Sequence, residues 1–204
     1  MKITILSLFL CSFICQISLT GVAQSSLYNL LNPEMIPANR LRDKAPQHID
    51  WKGFSGIDPD TLSSFSAFKQ LYFEIEKAEI QNELPGLLEL WEQLAAWQVS
   101  HNSIPLIVLD LNFAQVHPQA QENGWIGFEN SHFFDVATET SPYVQRHLFV
   151  AFPGAEYIPE NGTSLYIGPE FYFSDSETLP THLSIQFNNQ LFEVPMGTSI
   201  ELNT

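Results

Sequence analysis

Residue types that support catalysis occur in this 204-residue chain, but they form no known catalytic motif. Asp110 ends a short apolar segment, where α/β enzymes place catalytic acids, yet no strand–helix alternation follows and no partner for it is evident. The segment Gly53-Phe54-Ser55-Gly56 departs from the G-x-S-x-G nucleophile elbow, because its second glycine comes one residue early. The sequence therefore predicts no catalytic residue and no enzymatic activity within the chain.

The spacing of the histidines argues against a metal site. No two of them are separated by two or four residues, the spacings that place two imidazoles on one face of a strand or helix. His132, Asp135 and His117 can converge only through the fold, and Asp58-Pro59-Asp60 is too short for a calcium loop of about 12 residues. The sequence predicts neither a metal nor another cofactor. The histidines are His48, His101, His117, His132, His147 and His182.

Aromatic residues provide a second kind of chemistry, since an exposed ring stacks against a sugar. Four of them lie close together in the sequence, and we predict that they form a ligand face for a glycan or a protein. With 16 Phe, 6 Tyr and 4 Trp in the chain, the competing interpretation places these rings in the core. The predicted ligand-face residues are Trp125, Phe128, Phe133 and Phe134.

Charge excludes two classes of partner. The chain has 8 Lys+Arg against 23 Asp+Glu, a net charge of −15. Such an acidic protein is unsuited to nucleic acid or to an anionic membrane surface. An apolar content of 45% is ordinary for a folded domain.

The first 23 residues have the three parts of a secretory signal peptide. Met1-Lys2 is a basic start, residues 3–14 are apolar, and Gly21 and Ala23 are the small residues of a cleavage site before Gln24. The apolar segment is shorter than the roughly 20 residues that span a bilayer. We predict export to the periplasm, the outer surface or the medium, and a mature chain without a transmembrane segment.

Cleavage before Gln24 removes both cysteines, Cys11 and Cys15. The mature chain then holds no disulfide, no thiol nucleophile and no Cys-ligated zinc. Cysteine-free export is typical of bacterial envelope proteins. Thr61 and Asn161 lie in triplets that fit bacterial O-glycosylation and eukaryotic N-glycosylation, respectively.

The mature chain divides into three segments. Residues 24–57 are rich in Pro and Gly and read as an extended lead-in. Residues 58–100 carry apolar stripes with helical spacing, with one helix ending near Asn82 and a second starting at Pro85, which predicts a helical hairpin. Residues 101–204 read as a β-rich, sandwich-like region that forms one domain with the hairpin. The stripes include Phe65, Phe68, Tyr72, Ile75, Leu87, Leu90, Trp91 and Leu94.

The β-rich region consists of short apolar segments separated by turn residues. Residues 104–111 read as a central strand, and seven shorter candidates follow at a spacing typical of an antiparallel sandwich. The predicted fold class is therefore α+β, with an N-terminal helical hairpin packed on an antiparallel β-sandwich-like domain. The candidate strands are residues 125–128, 132–136, 146–152, 164–168, 170–173, 182–188 and 191–194.

Several segments of residues 58–194 together resemble the N-terminal module of large secreted proteins of Bacteroidota. In such proteins the module precedes further domains, some of them similar to α/β-hydrolases, so the resemblance implies export and a modular architecture. It implies no catalytic residue in this chain. The segments include Ser66-Ala67-Phe68-Lys69-Gln70-Leu71-Tyr72, His117-Pro118-Gln119-Ala120, Phe133-Phe134-Asp135-Val136, Ser141-Pro142-Tyr143-Val144 and Phe171-Tyr172-Phe173-Ser174.

The last residues strengthen the expectation of a larger protein. Thr198, Ile200 and Leu202 alternate with polar residues, so the sequence stops while still reading as a strand, and we expect that strand to lack a partner. The leading hypothesis is an exported, non-catalytic accessory, docking or binding module of a secreted or cell-surface protein. Two alternatives are an N-terminal fragment of a secreted hydrolase with its catalytic domain downstream, and a glycan- or protein-binding β-sandwich.

The mature protein is predicted to begin at Gln24, because the apolar segment is too short to remain as an anchor. Mass spectrometry of protein from its native host should find Gln24, free or cyclised, at the N-terminus. Recovery of residues 1–23 still attached in the membrane fraction would contradict this.

Overall fold

A computed structural model of the chain describes residues 31–49, 51, 64–136, 140–156, 163–187 and 190–202. Helices and strands both occur in this part of the chain, which confirms the α+β class. The predicted signal peptide, Thr61 and Asn161 lie outside the described residues. Neither helix in the described part of the chain has the length and apolar character needed to cross a membrane.

Both predicted helices form. Helix α1 runs over Phe65–Ala78 and helix α2 over Leu87–His101. The first ends four residues before the predicted end at Asn82. The second is followed by Asn102, whose φ of 50° gives the left-handed conformation common after helices. Most of the predicted apolar face of α1 is fully buried, whereas Phe65, the first member of the predicted stripe, is half-buried. The fully buried residues are Phe68, Leu71, Tyr72 and Ile75.

Nine strands lie in the described ranges. The largest sheet has the order β4–β1–β5–β9, with β6 also paired to β1, and β2–β3 and β7–β8 form separate ladders. The strands are β1 (Ile104–Val116), β2 (Ile126–Glu129), β3 (His132–Asp135), β4 (Tyr143–Pro153), β5 (Thr163–Ile167), β6 (Tyr172–Ser174), β7 (His182–Phe187), β8 (Gln190–Pro195) and β9 (Thr198–Leu202).

The largest sheet is mixed, whereas the sequence predicted antiparallel pairing. Strand β1 pairs in parallel with both β5 and β6, while β5 and β9 are antiparallel. Parallel neighbours need a long crossover connection, and the chain between β1 and β5 provides one. Strand spacing along a sequence does not indicate which strands become neighbours, so the parallel pairs could not be predicted from it.

The last strand is also different from its prediction. Strand β9 forms, as the alternation of Thr198, Ile200 and Leu202 indicates, but it does not lack a partner. It pairs with β5 along its whole length, from Ile167 opposite Thr198 to Thr163 opposite Leu202. The prediction that this strand lacks a partner is therefore wrong.

The chain forms two compact units. Unit 1 contains the described residues of Met1–His48, Lys77–Ile80 and Phe113–Gln145. Unit 2 contains those of Ile49–Glu76, Gln81–Asn112 and Arg146–Thr204. Each unit has its own apolar cluster. That of unit 1 comprises Leu31, Leu41, Ala114, Ala120, Ile126 and Tyr143, and that of unit 2 comprises Ile104, Leu106, Val108, Leu165, Ile167, Tyr172 and Val194.

A part of the predicted lead-in is hydrogen-bonded into unit 1. Leu41 N donates to Ala78 O over 2.9 Å, and Ala114 N donates to Arg40 O over 2.7 Å. The Arg40 guanidinium forms a fully buried ion pair with Glu79, with 3.2 Å between Nη2 and Oε1. These bonds give the segment fixed neighbours although it has no regular pattern of its own.

Aromatic rings link the helices to the strands inside unit 2. Phe68 of α1 stacks on Phe152 of β4 with ring centroids 4.9 Å apart, and Tyr72 meets Phe173 of β6 edge-on at 6.3 Å. Trp91, which was predicted to be buried like these rings, is only half-buried and lies 5.3 Å from Phe65. The buried face of α2 is instead formed by Leu90 and Leu94.

Phe68→Ala should lower the free energy of unfolding by about 3–5 kcal/mol, because the ring is fully buried and its removal leaves a cavity. Urea denaturation monitored by circular dichroism measures the change. Leu88→Ala is the matched control, since Leu88 is 72% exposed and should shift stability by less than about 0.5 kcal/mol. Equal effects of the two substitutions would contradict the packing of α1.

Candidate functional site

The predicted aromatic ligand face lies in unit 1, on and beside the β2–β3 ladder. Phe128 pairs with Phe133 in the register, and Gly127 pairs with Phe134. Successive side chains of a strand point to opposite faces. Phe128 and Phe133 therefore share one face, with ring centroids 4.8 Å apart, and Phe134 lies on the other.

Phe134 packs directly on the backbone of its neighbour. A Cβ atom at Gly127 would lie 2.2 Å from Phe134 Cζ, so the ring occupies the space that any side chain there would need. Glycine at this position lets the ring lie flat across the ladder. Phe134 is thus held by the hairpin itself and lies on the face opposite Phe128 and Phe133.

Trp125 precedes β2 and is half-buried. Its ring meets the His117 ring at 5.4 Å with an interplanar angle of 65°. Trp125 and Phe133 both pack partly against the apolar cluster of unit 1, whereas Phe128 keeps 51% of its surface exposed. Phe128 and Phe133 therefore share one face of the ladder, whereas Phe134 lies on the other face and Trp125 lies beside the His117 ring.

A cleft of about 330 Å³ lies beside Phe133 in unit 1. It combines apolar surface with four polar side chains, which is the usual composition of a small-ligand site. Only Phe133 of the four predicted ligand-face residues lines it. The lining residues are Asp43, Gln115, Val116, His117, Pro118, Gln121, Ile126 and Phe133.

Asp43 is the carboxylate of this cleft. It lies in a short 3-10 helix (Arg42–Lys44), and its Oδ2 accepts a hydrogen bond of 2.8 Å from Val116 N. Burial raises the pKa of Asp43 above its ordinary value, and the Val116 hydrogen bond offsets part of that effect. No pattern in the sequence indicates that Asp43 lines a cleft with Phe133, because Asp43 lies in the lead-in, far along the chain from Phe133.

His117 is the second ionisable residue that lines the cleft. Its Nδ1 accepts a hydrogen bond of 3.1 Å from Gln119 N, so the neutral imidazole carries its proton on Nε2. Gln115 and Gln121 add amide donors and acceptors. The cleft thus offers one carboxylate, one imidazole and two amides around an aromatic ring.

Asp135 has a structural role close to the ligand-face residues. It accepts hydrogen bonds from Tyr143 Oη at 2.6 Å and from Asn32 N at 2.8 Å. Burial and this carboxylate together raise the pKa of Tyr143. No group of three or more His, Cys, Asp or Glu side chains in the described part of the chain could hold a metal ion, so His117, His132 and Asp135 do not assemble one.

Asp110 of unit 2 has the partners that the sequence did not reveal. Its Oδ1 lies 2.7 Å from His147 Nε2, and its Oδ2 accepts hydrogen bonds from Tyr172 Oη at 2.9 Å and Ser174 Oγ at 3.4 Å. The parallel register sets Ser174 beside Asp110. Burial and the Asp110 hydrogen bond raise the pKa of Tyr172. This arrangement orients an imidazole, a prerequisite of acid–base chemistry.

Comparison of the chain with protein-family models, with curated proteins and with solved structures finds no match. The resemblance to modules of Bacteroidota proteins remains a prediction from the quoted segments. The case for a function therefore depends on the residues and geometry of the two units.

Asp43→Asn should stabilise the protein more at pH 7 than at pH 3. A carboxyl group whose pKa is raised on folding holds its proton more tightly in the folded state, so its contribution to stability falls as pH rises through that window. Asn removes this cost and still accepts the Val116 hydrogen bond. Urea midpoints of both proteins at the two pH values measure the difference, and an equal difference at both would contradict the burial of an ionised Asp43.

Proposed function

We propose that this chain is an exported, non-catalytic binding module of a secreted or cell-surface protein, and that the cleft of unit 1 is its ligand site. The class of ligand that fits best is a glycan. The observation that carries the proposal is the position of the Phe133 ring beside Asp43, Gln115, His117 and Gln121.

The chemistry of the cleft supports a sugar ligand. A pyranose has an apolar face that stacks on an aromatic ring and hydroxyl groups that bond to planar polar side chains. Phe133 provides the ring, while the carboxylate and the two amides provide acceptors and donors on the same walls. Ile126 and Val116 add apolar surface that excludes water from the contact.

The proposed module is a helical hairpin packed on a sandwich-like β region. Two hydrogen bonds inside unit 2 support the hairpin: Tyr72 Oη donates to Pro85 O over 2.7 Å, and Leu87 N donates to Glu76 Oε2 over 3.1 Å. Leu183 and Ile185 of β7 and Phe192 of β8 pack on the sheet cluster of unit 2, which supports a second β layer. The resemblance to Bacteroidota modules supports additional domains in the same protein and an accessory or docking role.

Binding of the mature chain (residues 24–204) to a polysaccharide array tests the proposal. Phe133→Ala should weaken binding by about two- to tenfold, because stacking on an aromatic ring contributes about 0.5–1.5 kcal/mol. Phe149→Ala is the matched control, since Phe149 is a partly exposed phenylalanine of unit 2 and should leave binding unchanged.

Two results would contradict the proposal. One is an array on which nothing binds, or on which Phe133→Ala and Trp125→Ala bind as well as the unmodified chain. The other is hydrolysis of ester, peptide or glycoside substrates that Asp110→Asn abolishes. That second result would favour an enzyme at the Asp110–His147 pair, the alternative for which the hydrogen bond between these residues is the specific support.

A further inference from the structure

We propose that the cleft of unit 1 selects glycans that carry primary ammonium groups, with the Asp43 carboxylate as the acceptor for the ammonium. The inference rests on the proposed glycan site and adds the chemical class of its ligand. The expected ligand is an amino-sugar polymer whose amines are free, as opposed to one whose amines are acetylated.

Charge favours a cationic ligand. Asp43 and His117 are the ionisable residues among those that line the cleft, so a ligand meets one carboxylate and an imidazole that is neutral when its Nδ1 accepts from Gln119 N. The chain as a whole carries a net charge of −15, which attracts cations over a distance. Both the local and the long-range field therefore favour an ammonium group.

The cations near Asp43 in the chain do not line the cleft. Arg40 is paired with Glu79, and Lys44 Nζ donates to Glu79 O. Arg42 adjoins Asp43, and its charge lowers the pKa of Asp43, but burial has the larger effect. Asp43 accepts hydrogen bonds from Val116 N, from its own backbone N–H and from the Gln47 side chain. Because a carboxylate accepts about four hydrogen bonds, Asp43 keeps capacity for one more donor.

Phe133 supports the same class of ligand. An aromatic face attracts both the apolar side of a sugar and an ammonium group, so a single ring serves both parts of an amino sugar. A buried carboxylate costs stability when its charge is only partly compensated, and a ligand ammonium offsets that cost on binding. The raised pKa of Asp43 agrees with a group that is incompletely compensated in the free protein.

Isothermal titration of residues 24–204 with two hexasaccharides tests the proposal. One is a glucosamine hexamer with free amines, and the other is the fully N-acetylated hexamer of the same linkage. We expect the free-amine hexamer to bind about tenfold or more tightly, because a charge-assisted hydrogen bond contributes about 1.5–3 kcal/mol. Asp43→Asn should abolish this preference while it keeps the acceptor for Val116 N.

Glu129→Gln is the matched control, since Glu129 is an exposed carboxylate on β2 of the same unit and does not line the cleft. It removes the same charge and should keep the preference, whereas thermal melts show that each variant is folded. If both variants lose the preference for the free-amine hexamer equally, that preference comes from net charge and the proposal is overturned. Binding of an oligolysine peptide of the same charge as tightly as the free-amine hexamer would have the same consequence.

The outcomes separate this inference from the proposed function. Equal affinity for the two hexamers, with binding that Phe133→Ala weakens, overturns ammonium selection and leaves the glycan site intact. If neither hexamer binds but a neutral glycan on the array binds in a way that depends on Phe133, ammonium selection is also overturned and the glycan site is left intact. Binding of no glycan on the array overturns both proposals.

Discussion

Strand β1 is the element on which the rest of this structure depends, because its first six residues, 104–109, are all buried. A segment buried on both faces needs covering layers on each side and hydrogen-bonding neighbours along both edges. Strand β1 therefore pairs with β4, β5 and β6. It also contributes residues to both units. Asp110 belongs to unit 2, whereas Gln115 and Val116 line the cleft of unit 1.

Hydrogen-bonded pairs of buried polar side chains stabilise both units. In unit 1 Arg40 and Glu79 form an ion pair with almost no solvent exposure. Removal of one partner from such a pair commonly destabilises a protein by about 3–5 kcal/mol. In unit 2 the buried Trp51 ring donates from Nε1 to Glu74 Oε2 over 3.0 Å. Leu41, Ala45 and Trp51 are also buried, so parts of the irregular lead-in belong to the core.

The carboxylates of Asp110 and Asp43 differ in how neighbouring groups compensate their charge. Asp110 accepts hydrogen bonds from His147, Tyr172 and Ser174, so three donors compensate its charge. The bond to His147 also lets Asp110 orient that imidazole. Asp43 lies on a cleft wall, and burial outweighs the groups that stabilise its charge. A carboxylate in the second situation gains most from a ligand that brings a donor or a cation. For this reason the cleft of unit 1 is the better candidate for binding.

Features that depend on a local pattern of residues can be predicted from the sequence alone. Helical spacing of Phe68, Leu71, Tyr72 and Ile75 predicted α1, and the alternation of residues 182–185 predicted β7, because the period of buried residues follows from local geometry. Acidic composition and the α+β class also follow from the sequence alone.

The register of the strands and the choice of neighbouring strands cannot be predicted from the sequence alone, because they depend on which distant segments of the chain meet. Only the tertiary structure reveals the parallel pairs of β1, the half-exposure of Trp91, and the meeting of Asp43 with Phe133 and of Asp110 with His147. In each of these cases the contacts join residues distant along the chain or depend on how elements pack, and no short-range pattern encodes that.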